Sequence, residues 1–529
     1  MPIESPWPPV SVPEVDVWSF FLEHPNRQYP DDHVLYIDVA AAQTLTYRQL
    51  RSSAEQWGSG LQEQWGWQKG DTLATMTPNT FECVPVTFGT LLVGGVVSPC
   101  NFQYTVDELV SHLKSSGAKG LITNVACVDV ALEAASQIGF PLDRILLVGG
   151  TDPKNTTAYY SSLQGSITAS PKKVTIGPKE DLAFLVYSSG TTGLPKGVML
   201  THFNVVANLV QYTQVRLPRH WKTDRSVGFL PMYHIYGIAV LMLYPLHDGT
   251  TTYIMTSFDL PTFCRTVQDS NITFAYIVPP VALALRRVPS SIDSTSPLCA
   301  LYQRLKTPLR QGYGMSEAAP GVAGQRTEDW NKPIGCSGHL WPSISAKLVV
   351  DGKEVKNGEE GEVCLKGPNV FNGYYNNPAA TAASFDADGW YRTGDIGFVD
   401  EAGNISITDR VKELIKYNGF QVAPAQLEGL LLGHPAVTDV AVVGVFSDAR
   451  ATELPRAYVV VAAGYRGDDK LEEALHQWFN ELVSPHKRLR GGIRFVEAVP
   501  KSNAGKILRR VLIEQARKEE MGAGVKARL

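Results

Sequence analysis

Short apolar runs bounded by Gly, Pro or Asp recur along the first two thirds of the chain, separated by stretches of helical length. Thr72–Met76, Gly120–Thr123, Arg144–Val148 and Leu182–Tyr187 read as short buried strands, and Val84–Leu92 reads as a helix after the first of them. Near-continuous apolar runs suit strands covered on both faces, so this alternation predicts an α/β fold with parallel sheets. Gly149–Gly177, rich in Ser, Thr, Pro and Lys, predicts a surface connection. A strand over Thr273–Val278 and a helix over Val281–Arg287 continue the alternation. There it breaks. Ser290–Pro297 is a polar link, and another helix, Leu298–Leu305, stands where a returning strand is expected.

After about Ile334 the period shortens. Ala346–Val350, Gly361–Leu365 and Asn404–Thr408 alternate with the turn signals Asp351-Gly352, Asn357-Gly358 and Asp388-Gly389, which predicts an antiparallel, strand-rich subdomain. Beyond Asp409 comes an α+β tail. It has a helix from Pro424 to Leu432, strands at Val437–Val445 and Ala457–Val461, a helix at Asp469–Leu482 and a basic end. A boundary within Thr408–Lys412 divides the chain into residues 1–408 and 409–529.

A length of 529 residues supports more than one domain, and 44% hydrophobic with 19% charged residues is a globular composition. The formal net charge of −4 gives no reason to expect a nucleic-acid partner. Cys83, Cys100, Cys127, Cys264, Cys299, Cys336 and Cys364 are odd in number and never paired as CxxC, which argues against a disulfide framework or a zinc knuckle. The Pro-rich stretch Met1–Val10 lacks the pattern of a signal peptide. Val86–Cys100 is the longest apolar stretch and is too short to span a bilayer. The expectation is a soluble intracellular protein.

The strongest chemical signal is Ser188-Ser189-Gly190-Thr191-Thr192-Gly193-Leu194-Pro195-Lys196-Gly197, directly after a predicted strand. Glycines and small hydroxyl residues let backbone N–H groups wrap phosphate oxygens, and Lys196 adds positive charge. Gly197 after Lys196 disfavours a Walker A loop, which requires Ser or Thr there. In Gln311-Gly312-Tyr313-Gly314-Met315-Ser316-Glu317 an aromatic ring between glycines can lie against a planar base, and a carboxylate stands close by. Asp395, in Tyr391-Arg392-Thr393-Gly394-Asp395, can accept ribose hydroxyls. Two basic motifs complete the set: Asp409-Arg410-Val411-Lys412-Glu413-Leu414-Ile415-Lys416-Tyr417-Asn418-Gly419-Phe420-Gln421 and Pro500-Lys501-Ser502-Asn503-Ala504-Gly505-Lys506. A lysine in such a loop is either a solvated charge or a phosphate-neutralising group delivered by domain closure.

In this order the motifs resemble the AMP-forming adenylating superfamily of acyl- and aryl-CoA synthetases, firefly-type luciferases and peptide-synthetase adenylation domains. The resemblance covers almost the whole chain. Pro231-Met232-Tyr233-His234-Ile235-Tyr236-Gly237, Gly419-Phe420-Gln421-Val422-Ala423-Pro424 and Val499-Pro500-Lys501-Ser502 look most like 4-coumarate:CoA ligase and its relatives. The resemblance implies a large N-terminal domain of parallel α/β sheets with a strand-rich subdomain, and a small mobile α+β domain carrying the catalytic lysine. It also implies a two-step ligase using a carboxylic acid, ATP with Mg²⁺, and coenzyme A. Ser188, Ser189, Gly190, Thr191, Thr192, Gly193 and Lys196 would hold phosphates. Gln311, Gly312 and Tyr313 would line the adenine, and Ser316 and Glu317 would face phosphate and Mg²⁺. Asp395 and Arg410 would hold the ribose, and Lys416 the adenylate. Lys506 would bridge carboxylate and α-phosphate, with His234, Thr192 and Glu317 beside it as catalytic groups. His234, Tyr236, Gly237, Val240 and Gly312 would form the acyl pocket. Lys412 would be the hinge, and Asn418, Gly419 and Gln421 would meet coenzyme A.

The sequence departs from the family where relatives carry a strand ending in a Ser-Gly-Ala-Ala-Pro-Leu turn; here Ser296-Pro297-Leu298 is the remnant. A missing internal strand leaves backbone groups unpaired at ~1–3 kcal/mol for each buried one. The alternatives to an active ligase are therefore an inert or weakened paralogue, or a mis-spliced product. An adenylating enzyme with another acceptor, as in luciferases, is the third. Asn418 and Ser257 each stand where relatives often have a basic residue, which lowers the expected affinity for coenzyme A. Ala527-Arg528-Leu529 is a relaxed form of the peroxisomal Ser-Lys-Leu address, and predicts a peroxisomal import receptor as partner.

Overall fold

The computed structural model describes the chain except residues 1, 24–26, 150–157, 159, 165–169, 189–194, 287–307, 330–334, 411–412, 418–419, 448–449, 451, 484, 502–504, 506 and 527–529. The expected strand-and-helix alternation forms a six-stranded sheet. Its order is Ile145–Leu147, Ala118–Thr123, Thr72–Met76, Val96–Cys100, Leu182–Ser188 and Lys196–Thr201. All neighbours are parallel except the last pair, which is an antiparallel hairpin. Thr72–Met76 and Val96–Cys100 are buried at every position, as strands covered on both faces must be. Three of the helices packed on the sheets begin with reciprocal capping boxes: Thr46 with Gln49, Thr105 with Glu108, and Thr201 with Asn204.

A five-stranded sheet runs Phe274–Ala275, Arg225–Gly228, Thr251–Ile254, Val34–Asp38 and Thr44–Thr46. The expected strand over Thr273–Val278 is confined to Phe274–Ala275, which pairs on one side with Arg225–Gly228. Among the described residues no strand covers its other side. The polar link Ser290–Pro297 and the helix Leu298–Leu305 lie outside the described residues.

The strand-rich region forms a third, antiparallel sheet. Its main path is Ile3–Glu4, Ser345–Val350, Gly361–Lys366, Tyr391–Val399, Ile405–Arg410, Cys336–Leu340, Gly321–Gly324 and Gly312–Gly314. The C-terminal region has its own core. The strands Val437–Ser447 and Thr452–Val461 pair along their length. Leu427, Val442, Leu475 and Phe479 pack together in a hydrophobic cluster separate from those of the large sheets. Among the described residues no helix is long and apolar enough to cross a membrane, and no cluster of side chains suits a metal ion. The described cysteines are free and, apart from Cys264, buried.

Candidate active site

The predicted phosphate loop is closed by a hairpin. Ser188 and Lys196 are register partners at the ends of Leu182–Ser188 and Lys196–Thr201, so the strand pair pins both ends of the loop. Ser189, Gly190, Thr191, Thr192 and Gly193 lie outside the described residues. The segment Gly373–Tyr375 docks on the hairpin. Tyr375 N–H donates to Gly197 O at 2.8 Å, and Met199 N–H donates to Gly373 O at 3.1 Å. This brings the Tyr374 ring under the Lys196 ammonium, 5.0 Å from the centroid.

Glu317 joins these elements. Its Oε1 accepts from Ser188 Oγ at 3.2 Å and from Tyr374 Oη at 3.0 Å. Burial pushes its pKa up, while the two hydroxyl donors and the Arg410 charge oppose the shift. A buried carboxylate with hydroxyl partners and a nearby lysine suits a hydrated cation held against phosphate. Tyr374 was missed in the sequence. It sits among the turn residues of Asn372-Gly373-Tyr374-Tyr375-Asn376, and only the docking of that segment gives it a role.

Tyr313, in the strand Gly312–Gly314, donates from its hydroxyl to Asp395 Oδ2 at 2.6 Å. Arg410 Nε lies 3.0 Å from Asp395 Oδ1. Asp395 and Arg410 are cross-strand register partners, so sheet pairing itself places them. The strand carrying Tyr313 is anchored by Gln311: its N–H donates to Gln325 Oε1 at 2.8 Å, and its Oε1 accepts from Gly335 N–H at 3.1 Å.

These residues open onto a cavity of about 700 Å³ whose lining includes His234, Tyr236, Gly312, Tyr313 and Ser316. His234 is the N-cap residue of the short helix Ile235–Ile238. Burial pushes its pKa down to about 4, so the imidazole is neutral at pH 7. It can exchange hydrogen bonds with a carboxylate but supplies no charge.

Two expected pocket residues lie elsewhere. Val240 is turned into the hydrophobic core at 1% exposure, in a π-helical stretch Ala239–Leu243 that packs on all sides. Gly237 does not line the cavity. A Cβ there would meet Pro231 O at 2.0 Å, so its role is close helix–loop packing. Lys416 is exposed on the ribbon Ile415–Tyr417/Phe420–Val422, its backbone N–H held by Glu453 Oε2 at 2.7 Å. Gln421 is its register partner on that ribbon. Lys412, Asn418, Gly419, Lys506 and Ala527–Leu529 lie outside the described residues.

Residues 22–375 match the family model for an AMP-binding enzyme, and residues 426–506 match the AMP-binding enzyme C-terminal domain. The chain belongs to the AMP-binding enzyme family. Its relatives in the family include CoA ligases. Probable 4-coumarate–CoA ligase 1 of Dictyostelium discoideum is 35% identical, with 96% of each chain covered. The 4-coumarate–CoA ligase of Vanilla planifolia is also 35% identical, over 90% of this chain and 89% of that one. The Dictyostelium alignment spans 540 positions, more than the 529 residues here, so it opens gaps in this chain. The fold is that of solved adenylating enzymes. ATP-bound MatB from Rhodopseudomonas palustris superposes with a TM-score of 0.82 at 25% identity, covering 94% of this chain and 98% of that one. The o-succinylbenzoate CoA synthetase MenE from Bacillus subtilis, in complex with its acyl-adenylate, gives 0.79 at 24% identity, covering 95% and 98%.

Proposed function

We propose that this family member is an ATP-dependent acid–thiol ligase. A carboxylate attacks the α-phosphate of ATP to give acyl-AMP and pyrophosphate, and the thiol of coenzyme A then displaces AMP to give the thioester. The observation that carries this reading is the convergence of the Ser188–Lys196 hairpin, Glu317 and the Tyr313–Asp395–Arg410 cluster beside one cavity.

In this reading the hairpin loop and Lys196 hold the triphosphate, Tyr313 lies along the adenine, and Asp395 with Arg410 orients the ribose. Asp395 retains lone pairs beyond its two partners, as a carboxylate with about four acceptor sites can. Glu317 would hold Mg²⁺, which neutralises phosphate charge when bound. His234, neutral, borders the carboxylate without competing for a proton. The positive charge that lets two anions approach falls to Lys506 on the C-terminal domain, beginning near residue 409 and hinged at Lys412. Removing Lys506 after the first step would clear the way for the thiol.

Carboxylate-dependent pyrophosphate release, measured with cinnamic, benzoic, phenylacetic and fatty acids, tests the reading. Turnover with any of them supports it. Lys506→Ala should abolish pyrophosphate release yet leave thioester formation from supplied acyl-AMP largely intact. Equal loss of both half-reactions would reassign Lys506.

A second reading rests on the strand Phe274–Ala275, which ends its sheet without a described partner on one side. The alignment gaps point the same way. A chain shortened there could bind nucleotide and fail to turn over. ATP binding by calorimetry with no pyrophosphate release, cured by inserting the relatives' strand, would favour it.

A further inference from the structure

At the end of the cavity formed by Tyr212, Tyr276 and Arg310, positive charge exceeds negative charge. Three guanidiniums gather there. Arg216 is matched: its Nη2 lies 2.7 Å from Asp248 Oδ1, which His247 Nδ1 also reaches at 2.8 Å. Asp248 is thereby engaged. Arg219 lies over the Phe274 ring, 3.4 Å from its centroid, and its buried Nε has no hydrogen-bond partner among the described residues.

Arg310, which lines the cavity directly before the Gly312–Gly314 strand, forms no ion pair with a described residue. Burial pushes its pKa down, and the Arg219 guanidinium adds repulsion. The sequence of residues 287–307 offers little compensation, with Asp293 against Arg287, Arg304 and Lys306. The phosphate cluster of Ser188, Lys196, Glu317 and Tyr374 shares no residue with this end, so the charge is not placed for the triphosphate.

Two guanidiniums at the wall of an otherwise tyrosine-lined cavity need an anion. We propose that Arg310, backed by Arg219, binds a second carboxylate on the acid substrate, remote from the carboxyl that is activated, so that the preferred substrate is a dicarboxylic acid. This rests on reading the site as an acid-activating one, and it deepens that reading by naming the substrate class. The tyrosine walls accept a flat or extended spacer, and a planar guanidinium matches a carboxylate in bidentate geometry.

The test compares matched acids that differ in the distal charge: 4-carboxycinnamate with its 4-carboxamide, and hexanedioate with its monoamide. Binding is read by calorimetry with a non-hydrolysable ATP analogue present, and turnover by pyrophosphate release. In at least one pair the diacid should bind about 10- to 100-fold more tightly than its amide in the wild-type chain. Arg310→Gln should collapse that ratio toward one, and Arg310→Lys should restore part of it. No diacid preference in either pair, or a ratio unchanged by Arg310→Gln, overturns the proposal. So does equal loss of diacid and amide binding. Diacid binding that depends on Arg310 with no pyrophosphate from any acid would uphold the anion site and sink the ligase reading, so the two fail separately.

Discussion

Tyr313 donates its hydroxyl proton to Asp395 Oδ2 across 2.6 Å, tying the residue expected to face adenine to the residue expected to face ribose. The bond joins two strands far apart in sequence, and Arg410 closes the other side of the carboxylate at 3.0 Å. Asp395 is buried while Arg410 remains reachable by solvent, so the pair is partly screened. Asp395→Asn keeps the shape and removes the charge. We expect KM for ATP to rise about 10-fold or more, with a stability loss of about 1–2 kcal/mol. Pyrophosphate-release kinetics with a parallel thermal melt check this. An unchanged KM would detach Asp395 from the nucleotide.

Tyr374 and Glu317 make a second testable pair. Tyr374→Phe keeps the ring under Lys196 and removes one of two hydroxyl donors from the Glu317 carboxylate. Losing a hydrogen bond to the charged form raises a carboxyl pKa further. The acid limb of the pH–rate profile should therefore move to higher pH. Glu317→Gln should instead raise the Mg²⁺ concentration for half-maximal rate about 10-fold, since an amide holds a hard cation poorly. Titration of Mg²⁺ at fixed ATP separates the two.

Stability should fall as pH drops below neutrality. Burial pushes His112, His202 and His234 each down to about 4. Between about pH 6.5 and pH 4 the unfolded chain binds protons at these sites that the folded chain refuses, so folding weakens across this window. Each histidine contributes on the order of 3 kcal/mol of this dependence. Asp409 acts in the opposite sense. Burial raises its pKa from 3.8 to about 6, so the folded chain takes up that proton first and gains stability as pH falls from 6 toward 3.8. Three groups against one give a net loss. Denaturant midpoints at pH 7 and pH 5 should differ accordingly, and His112→Gln should make the slope shallower. Equal midpoints would show that these imidazoles are protonated in the folded chain.

The strands and helices with strong local pattern were legible in the sequence. Helix Asp469–Leu482 matches residue for residue, and Thr72–Met76 likewise. Val86–Cys100 shows why others were not. A single apolar stretch conceals the end of helix Cys83–Leu92, a turn through Gly94, and the buried strand Val96–Cys100. Full burial erases the periodicity that would separate helix from strand. The site followed the same logic. Asp395 and Arg410 stand in recognisable motifs, and strand register brings them together. Tyr374 and Arg310 reach the site through docking of distant segments, which one sequence does not encode locally. Val240 sits in the expected stretch but faces the core, because side-chain direction depends on a π-helical offset.

Gly314 tests how far the site depends on close backbone approach. A Cβ there would lie 2.4 Å from Pro320 O, and that oxygen already accepts from Met315 N–H at 2.9 Å. A carbonyl held by the turn before Gly321–Gly324 cannot retreat as a side chain can. Gly314→Ala should therefore break the Met315 bond and shift Tyr313, Ser316 and Glu317 together, which are connected through this turn. We expect a lower melting temperature and a rise in KM for ATP. At Gly312 the added Cβ would lie 3.1 Å from Ala323 O, a contact that small adjustments relieve. Because Gly312 lines the cavity, Gly312→Ala should chiefly weaken binding of the carboxylic acid while leaving the melting temperature nearly unchanged. The reverse order of effects would mean that the Gly312–Gly314 strand is anchored by Gln311 and Gln325 alone and that the turn is free to give.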